Sequence, residues 1–195
     1  MPQSSGDRSH GLLVPLIREP ALLRAIEAIG SVSFSGQVWR IVLDGRDPRE
    51  PGVTGGRWSP TGVPVLYSSL EKGGALSEMH YHLTRGQSVP PSRISLRLYR
   101  LNVAIDRALR LPDLAALAYL GVDVGRYGAL AYARRDREYT RLQEIAEAAR
   151  FLEFGGLLVP SARADCMNAV LFTDGPGAPS IEIHRDEGLV DVLQT

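Results

Sequence analysis

Apolar positions recur three and four residues apart in some stretches of this chain and alternate or crowd together in others. In "REPALLRAIEAIG" the spacing predicts a helix with Pro20 near its first position and Gly30 past its end. "KGGALSEMHYHL" places Ala75, Leu76, Met79 and Leu83 on one helical face. "LPDLAALAYLGV" predicts a short helix ended by Gly121. The longest helix is expected in "RRDREYTRLQEIAEAARFLEFGG", with Tyr139, Leu142, Ile145, Ala149 and Leu152 along one stripe and Gly155 at its end. β-Branched and aromatic residues predict strands in "GQVWRIVL" and "VPVLYSS". Alternation predicts a half-buried strand in "SRISLRLYRLNV". Short strands are expected in "LLVPS", "NAVLF" and "SIEIH". The breakers and charges of "DGRDPREPGVTGG" predict a loop, and the polar residues 1–10 are expected to be disordered. Helices and strands are mixed without regular βαβ alternation. That order predicts an α+β fold with a mixed or antiparallel sheet and flanking helices.

Length and composition narrow the class. A chain of 195 residues is expected to form one domain with a real core. Formal net charge is zero, so the total implies no polyanion-binding surface, and direct nucleic-acid binding is not expected. The single lysine, Lys72, leaves arginine as the cation of choice. A strong base bias in the genome explains this more simply than a need for bidentate anion recognition. The one cysteine, Cys166, excludes an internal disulfide and points to a reducing compartment. A small buried thiol is its expected role. "GLLVPLI" is short, broken by Pro15 and lacks a cleavage site, and no apolar run reaches membrane-spanning length, so a soluble cytoplasmic protein is expected.

The run "GGRWSPTGVPVLYSSLEKGGALSEMHYHL" is the informative one. It presents a cation, Arg57, an aromatic ring, Tyr67, and a carboxylate, Glu78, at the ends of a loop, a strand and a helix. An ordinary loop, strand and helix account for each alone. Together they suit a ligand with anionic, planar and hydroxylated parts. His80 and His82 raise a metal reading, but two residues apart on a helix they point in different directions. Without a third ligand no metal site is expected, and the "HYH" run is assigned to rim or surface. Trp39 and Trp58 are most simply packing residues.

The stretches "VWRIV", "GGRWSPTGVPVLYSS", "GALSEMHYHL" and "GGLLVPSARADCMNAVLF" resemble, in order, those of the RES domain family, toxins paired with Xre-like antitoxins. The arginine, glutamate and serine that name the family fall on Arg57, Glu78 and Ser161, with Arg40 a second arginine in a family position. Ile41 stands where relatives often carry tyrosine. The resemblance implies a fold similar to ADP-ribosyltransferases and an activity that consumes NAD as substrate, without a metal. It implies an Xre-like antitoxin as partner, in a homodimer or a larger complex. Residues 37–195 form the matching domain, and residues 1–36 are set apart as an extension with one helix.

Within that frame each residue has two readings. The Arg57 guanidinium fork matches pyrophosphate oxygens, with Gly55 and Gly56 letting the backbone approach a ligand closely; otherwise Arg57 is a solvated loop arginine. Arg40 either points into a cleft or lies along the sheet surface. Tyr67 either stacks on nicotinamide or hydrogen-bonds the ribose, or else is a core tyrosine with its hydroxyl at the rim. Ser161 either contributes to anion binding or caps a short helix in "PSARAD". Asn168 either orients a neighbour or forms a turn. Glu78 is either a solvent-facing helix glutamate or, as the resemblance implies, the catalytic carboxylate, with Arg57 and Tyr67 beside it; Arg40, Arg57, Tyr67, Ser161 and Asn168 are expected to bind NAD. Nicotinamide leaves a cationic pyridinium as a neutral molecule, so no acid is needed and the barrier is the ribosyl oxocarbenium ion. One carboxylate can stabilise that charge. Three functions follow: NAD glycohydrolysis, transfer of ADP-ribose to a protein, and nucleotide binding without turnover. The absence of a second carboxylate just after Glu78 favours hydrolysis.

Overall fold

The computed structural model describes residues 19–85, 94–129 and 136–193. The expected disorder of residues 1–10 and the first residues of the longest helical stretch lie outside them. The described elements are α1 (Pro20–Ile29), β1 (Val32–Leu43), β2 (Val65–Ser69), α2 (Lys72–Thr84), β3 (Leu96–Arg110), α3 (Leu114–Tyr119), α4 (Asp136–Phe151), β4 (Gly156–Pro160), β5 (Met167–Phe172) and β6 (Ser180–Val190). Every helix and strand expected from the pattern is present, and β1, β3 and β6 are longer than their sequence signals.

The six strands form one sheet in the order β1-β2-β5-β4-β3-β6, and β1 also pairs with β3. That extra ladder closes β1, β2, β5, β4 and β3 into a ring. β1 and β3 run antiparallel from Leu43↔Leu96 to Val32↔Ala108. β3 uses its other edge twice: antiparallel to β6 along its first part, and parallel to β4 at Ala108–Arg110. The ring is weakest between β1 and β2, which share the single pair Trp39↔Ser69. The architecture is a mixed α+β domain with helices flanking a largely antiparallel sheet.

The alternation of β4 and β5 explains how the layers meet. Leu157, Val159, Val170 and Phe172 face one core, built with Leu22 and Ile26 of α1, Leu117 of α3 and Leu142, Ile145 and Ala149 of α4. Leu158, Ala169 and Leu171 face the opposite way, onto Val38, Leu66, Leu101 and Val103. Both faces of these strands are buried, so they read as apolar runs. α2 covers a third cluster, with Ala75, Leu76, Met79 and Leu83 against Ile41, Leu96 and Leu98, the face that the spacing predicts. α1 belongs to the main core: Ile26 has no solvent exposure. The boundary drawn after residue 36 falls inside β1.

Two local expectations are corrected. Gly155 does not end α4. The helix stops at Phe151, and Glu153 takes the left-handed conformation at φ 61°, with Phe154 N–H donating back to Ala149 O at 3.0 Å. Gly155 is small because the Gly177 carbonyl occupies the space of a side chain. The "PSARAD" stretch forms no helix; it is a chain of bends between β4 and β5.

Candidate active site

The loop before β2, the end of β2, one face of α2, the segment after α3 and the N-terminal half of α4 enclose a cleft of about 660 Å³. Arg40, Arg57, Tyr67, Glu78 and Asn168 all line it, so the three ends of the 55–83 run do converge. Ser161 stands one layer behind, in contact with Glu78.

Glu78 is the seventh residue of α2, beside the start of β5 and the corner after β4. Ser161 Oγ donates to its Oε1 at 2.8 Å, and Asn168 Nδ2 donates to the same oxygen at 3.0 Å. The Ser161 hydroxyl in turn accepts from Arg163 N–H at 3.1 Å, a local turn in place of a helix cap. One carboxylate oxygen is thereby fixed by two donors from different strands' ends. Asn168 Oδ1 is buried and has no protein partner, which leaves an acceptor at the wall of the cleft.

Arg57 follows a tight turn whose construction is internal. Gly55 has φ 81°, and a side chain there would meet Thr61. A side chain at Gly56 would meet the Tyr67 hydroxyl. The glycine pair therefore serves the turn and the approach of Tyr67 to the loop backbone. Tyr67 Oη accepts from Trp58 N–H at 3.1 Å and is 2.9 Å from Ser59 Oγ. Burial pushes its phenol up to about 12, against the hydrogen bonds from Ser59 and Trp58. Gln143 of α4 donates to the Gly56 and Ser59 carbonyls at 2.8 and 3.2 Å. The Arg57 guanidinium lies 4.9 Å from the Tyr127 ring centre and 5.7 Å from that of Tyr139. Trp58 is core, at 3% exposure, as its packing role requires.

Arg40 is occupied by the protein backbone. Its Nη1 donates to Tyr67 O and its Nη2 to Glu50 O, both at 2.8 Å, so the side chain stitches β2 to the loop where the β1–β2 ladder gives out. Burial, reinforced by Arg46 and opposed by Glu50, lowers it to about 10, which leaves it charged near neutral pH.

The sequence reading missed Tyr81, His82, Arg85, Tyr127, Tyr139, Gln143 and Arg163 as cleft residues. Part of this was legible: Glu78, Tyr81, His82 and Arg85 are spaced i, i+3, i+4, i+7 and line the cleft from one face of α2. Tyr139 was assigned to the core stripe of α4 but is half-buried at the cleft. Tyr127 and Arg163 lie in irregular segments that carry no periodic signal. Arg163 stacks on Tyr81 at 3.4 Å and donates to Gly128 O. Of the two histidines assigned to rim or surface, His80 contacts the Val192 carbonyl at 2.9 Å, whereas His82 belongs to the cleft. Its imidazole keeps solvent access at the mouth. Partial burial, then Arg85, with Arg163 and Arg57 adding and Glu78 opposing, pushes it down to about 4. It is therefore neutral near pH 7.

Four arginines line the cleft against one carboxylate, Glu78, among the described residues. That concentrates positive charge in a chain whose formal net charge is zero. Several aromatic rings share the same walls. Such a site suits a ligand with phosphates and flat heterocycles, and it holds one fixed carboxylate for a centre that becomes positive. Among the described residues no group of three His, Cys, Asp or Glu is placed to hold a metal. No described helix is long and apolar enough to cross a membrane.

Comparisons with known proteins bear on the fold and the family. A chain of the crystal structure of the M. tuberculosis MbcT–MbcA toxin–antitoxin complex has the same fold, with a TM-score of 0.70 at 20% identity, covering 90% of this chain and 95% of that one. A search of the curated proteins gave no match. The RES domain family model matches residues 37–192, from within β1 to the last described turn, and this chain belongs to the RES domain family.

Proposed function

We propose that the protein is the toxin of a toxin–antitoxin pair and cleaves the nicotinamide–ribose bond of NAD by hydrolysis. The observation that carries this reading is the Glu78 carboxylate, held on Oε1 by Ser161 and Asn168 at 2.8 and 3.0 Å inside an arginine-rich, aromatic cleft. The fixed charge faces the ribosyl carbon and stabilises the oxocarbenium ion as neutral nicotinamide leaves. Arg57 takes the pyrophosphate, and the binding energy of that remote group holds the scissile bond in place. Tyr67 contributes its ring to the nicotinamide end while its hydroxyl orders the Arg57 loop. Arg40 acts as a fixed positive charge in the floor. Asn168 and Ser161 position the carboxylate. Water then captures the ribosyl cation, giving ADP-ribose.

The core sheet is read as akin to that of ADP-ribosyltransferases. Hydrolysis is preferred over transfer because Glu78 is the one carboxylate among the described cleft residues. The partner is proposed to be an Xre-like antitoxin that obstructs the cleft near Arg57, as a complex-forming relative of this fold invites. Incubating purified protein with NAD and measuring nicotinamide and free ADP-ribose tests the reading. Equimolar release of both is expected. ADP-ribose found on an added protein instead would turn the reading to transfer, and binding without nicotinamide release would reduce the protein to a nucleotide-binding module.

A further inference from the structure

The cation and the carboxylate of the cleft sit on elements far apart in sequence, and one side chain touches the supports of both. Tyr127, in the irregular segment after α3, lies with its ring 4.9 Å from the Arg57 guanidinium carbon. Its hydroxyl donates to the Pro160 carbonyl at 2.7 Å. Pro160 immediately precedes Ser161, whose hydroxyl fixes Glu78. The next residue, Gly128, is tied to the same corner, because Arg163 donates to its carbonyl and Arg163 N–H donates to Ser161 Oγ. A side chain at Gly128 would run into Ala162, so the strap is seated tightly against the corner.

We propose that Tyr127 is a positioning residue that sets Arg57 and Glu78 relative to each other. The ring restrains the arginine, a side chain with several rotatable bonds whose ordering otherwise costs binding energy. A stacked ring covers the face of a guanidinium, whereas its hydrogen bonds to an anion run in the plane, so the restraint is compatible with pyrophosphate binding. The hydroxyl restrains the Pro160–Ser161 corner and, through Ser161, the carboxylate. Tyr139 adds a second ring to Arg57 at 5.7 Å.

This inference rests on the proposed NAD chemistry for its kinetic readout, so the test has an arm that does not. Tyr127→Phe keeps the ring and removes the hydroxyl; Tyr127→Leu removes both. Binding of inorganic pyrophosphate by calorimetry reads the arginines of the cleft, Arg57 among them, without any NAD cleavage. It should be unchanged in Tyr127→Phe and weaker by about threefold to tenfold in Tyr127→Leu. In NAD turnover, Tyr127→Phe should lose kcat by about fivefold with KM nearly constant, as expected for one hydrogen bond that acts through the carboxylate. Tyr127→Leu should raise KM as well. A merely structural tyrosine would lower the melting temperature without this split. Wild-type kinetics in both variants, or wild-type protein that fails to bind pyrophosphate, overturns the role given to Tyr127. A wild type that binds pyrophosphate but cleaves no NAD removes the proposed activity, and the binding arm still decides whether Tyr127 restrains Arg57.

Discussion

Glu78, Ser161 and Asn168 are separated by 83 and 90 residues, yet two hydrogen bonds gather them on a single oxygen. Residue type and motif order single out these positions, and the sequence allows Asn168 to orient a neighbour, but nothing in it names Glu78 as that neighbour or ties Ser161 to it. The same holds for Arg57 and Tyr67. Their chemistry was legible, whereas the use of the Tyr67 hydroxyl to hold Trp58 and Ser59 depends on a turn that only the folded loop makes. Removing Ser161 Oγ should free the carboxylate on one side. Ser161→Ala is expected to lower kcat by about tenfold while KM moves little, the loss of one hydrogen bond to a charged group. Steady-state kinetics of nicotinamide release checks it, and a rise confined to KM would place Ser161 on the substrate instead. Arg57→Lys keeps the charge but loses the planar fork and its stacking, so KM for NAD should rise by about tenfold with kcat less affected.

At the scale of elements, the pattern of apolar positions was a sound guide because burial is what selects these helices and strands. α2 shows it well: Ala75, Leu76, Met79 and Leu83 face the core, and the remaining face carries Glu78, Tyr81, His82 and Arg85 into the cleft. Boundaries were less legible, because close packing set them. Glu153 ends α4 in a conformation that favours glycine, while Gly155 is required two residues later by the Gly177 carbonyl. Gly74 follows the same logic. It lies in the first turn of α2, and a side chain there would strike Ser69 Oγ and Cys166 Sγ. Gly74→Ala should therefore destabilise the fold by about 1–3 kcal/mol despite alanine's higher helix propensity, read as a drop in the denaturation midpoint. An unchanged or higher midpoint would show that α2 has room to shift. α1 is integral for the same reason of packing. Ile26→Ala, at a position with no exposure, should cost about 2–5 kcal/mol.

For the whole molecule, composition described a chain of zero formal net charge and concealed the uneven placement of charge. The arginines of the cleft come from β1, the loop before β2, the end of α2 and the corner after β4. No local window contains that cluster. Burial at the cleft, with this positive field added to it, has a consequence for pH. His82 has a folded value of about 4 against an ordinary 6.5, so the unfolded chain takes up the proton first as pH falls. Stability from the neutral ring is complete above about 6.5 and is lost as pH drops towards about 4. His82→Gln should flatten that limb of a melting-temperature series, by a modest amount because the ring keeps solvent access. A limb of unchanged slope would assign the acid sensitivity to other groups.

The central claim is that the Glu78 charge stabilises a positive centre formed during NAD cleavage. The most direct test is the turnover number of Glu78→Gln with saturating NAD, measured by nicotinamide release beside wild type. Glutamine keeps the size and one hydrogen-bonding oxygen but removes the charge. The account predicts a fall of about 10²–10³ in kcat, with NAD binding and the thermal melt preserved. Turnover within about twofold of wild type would contradict it, since a change at an uninvolved position leaves rate and stability nearly untouched.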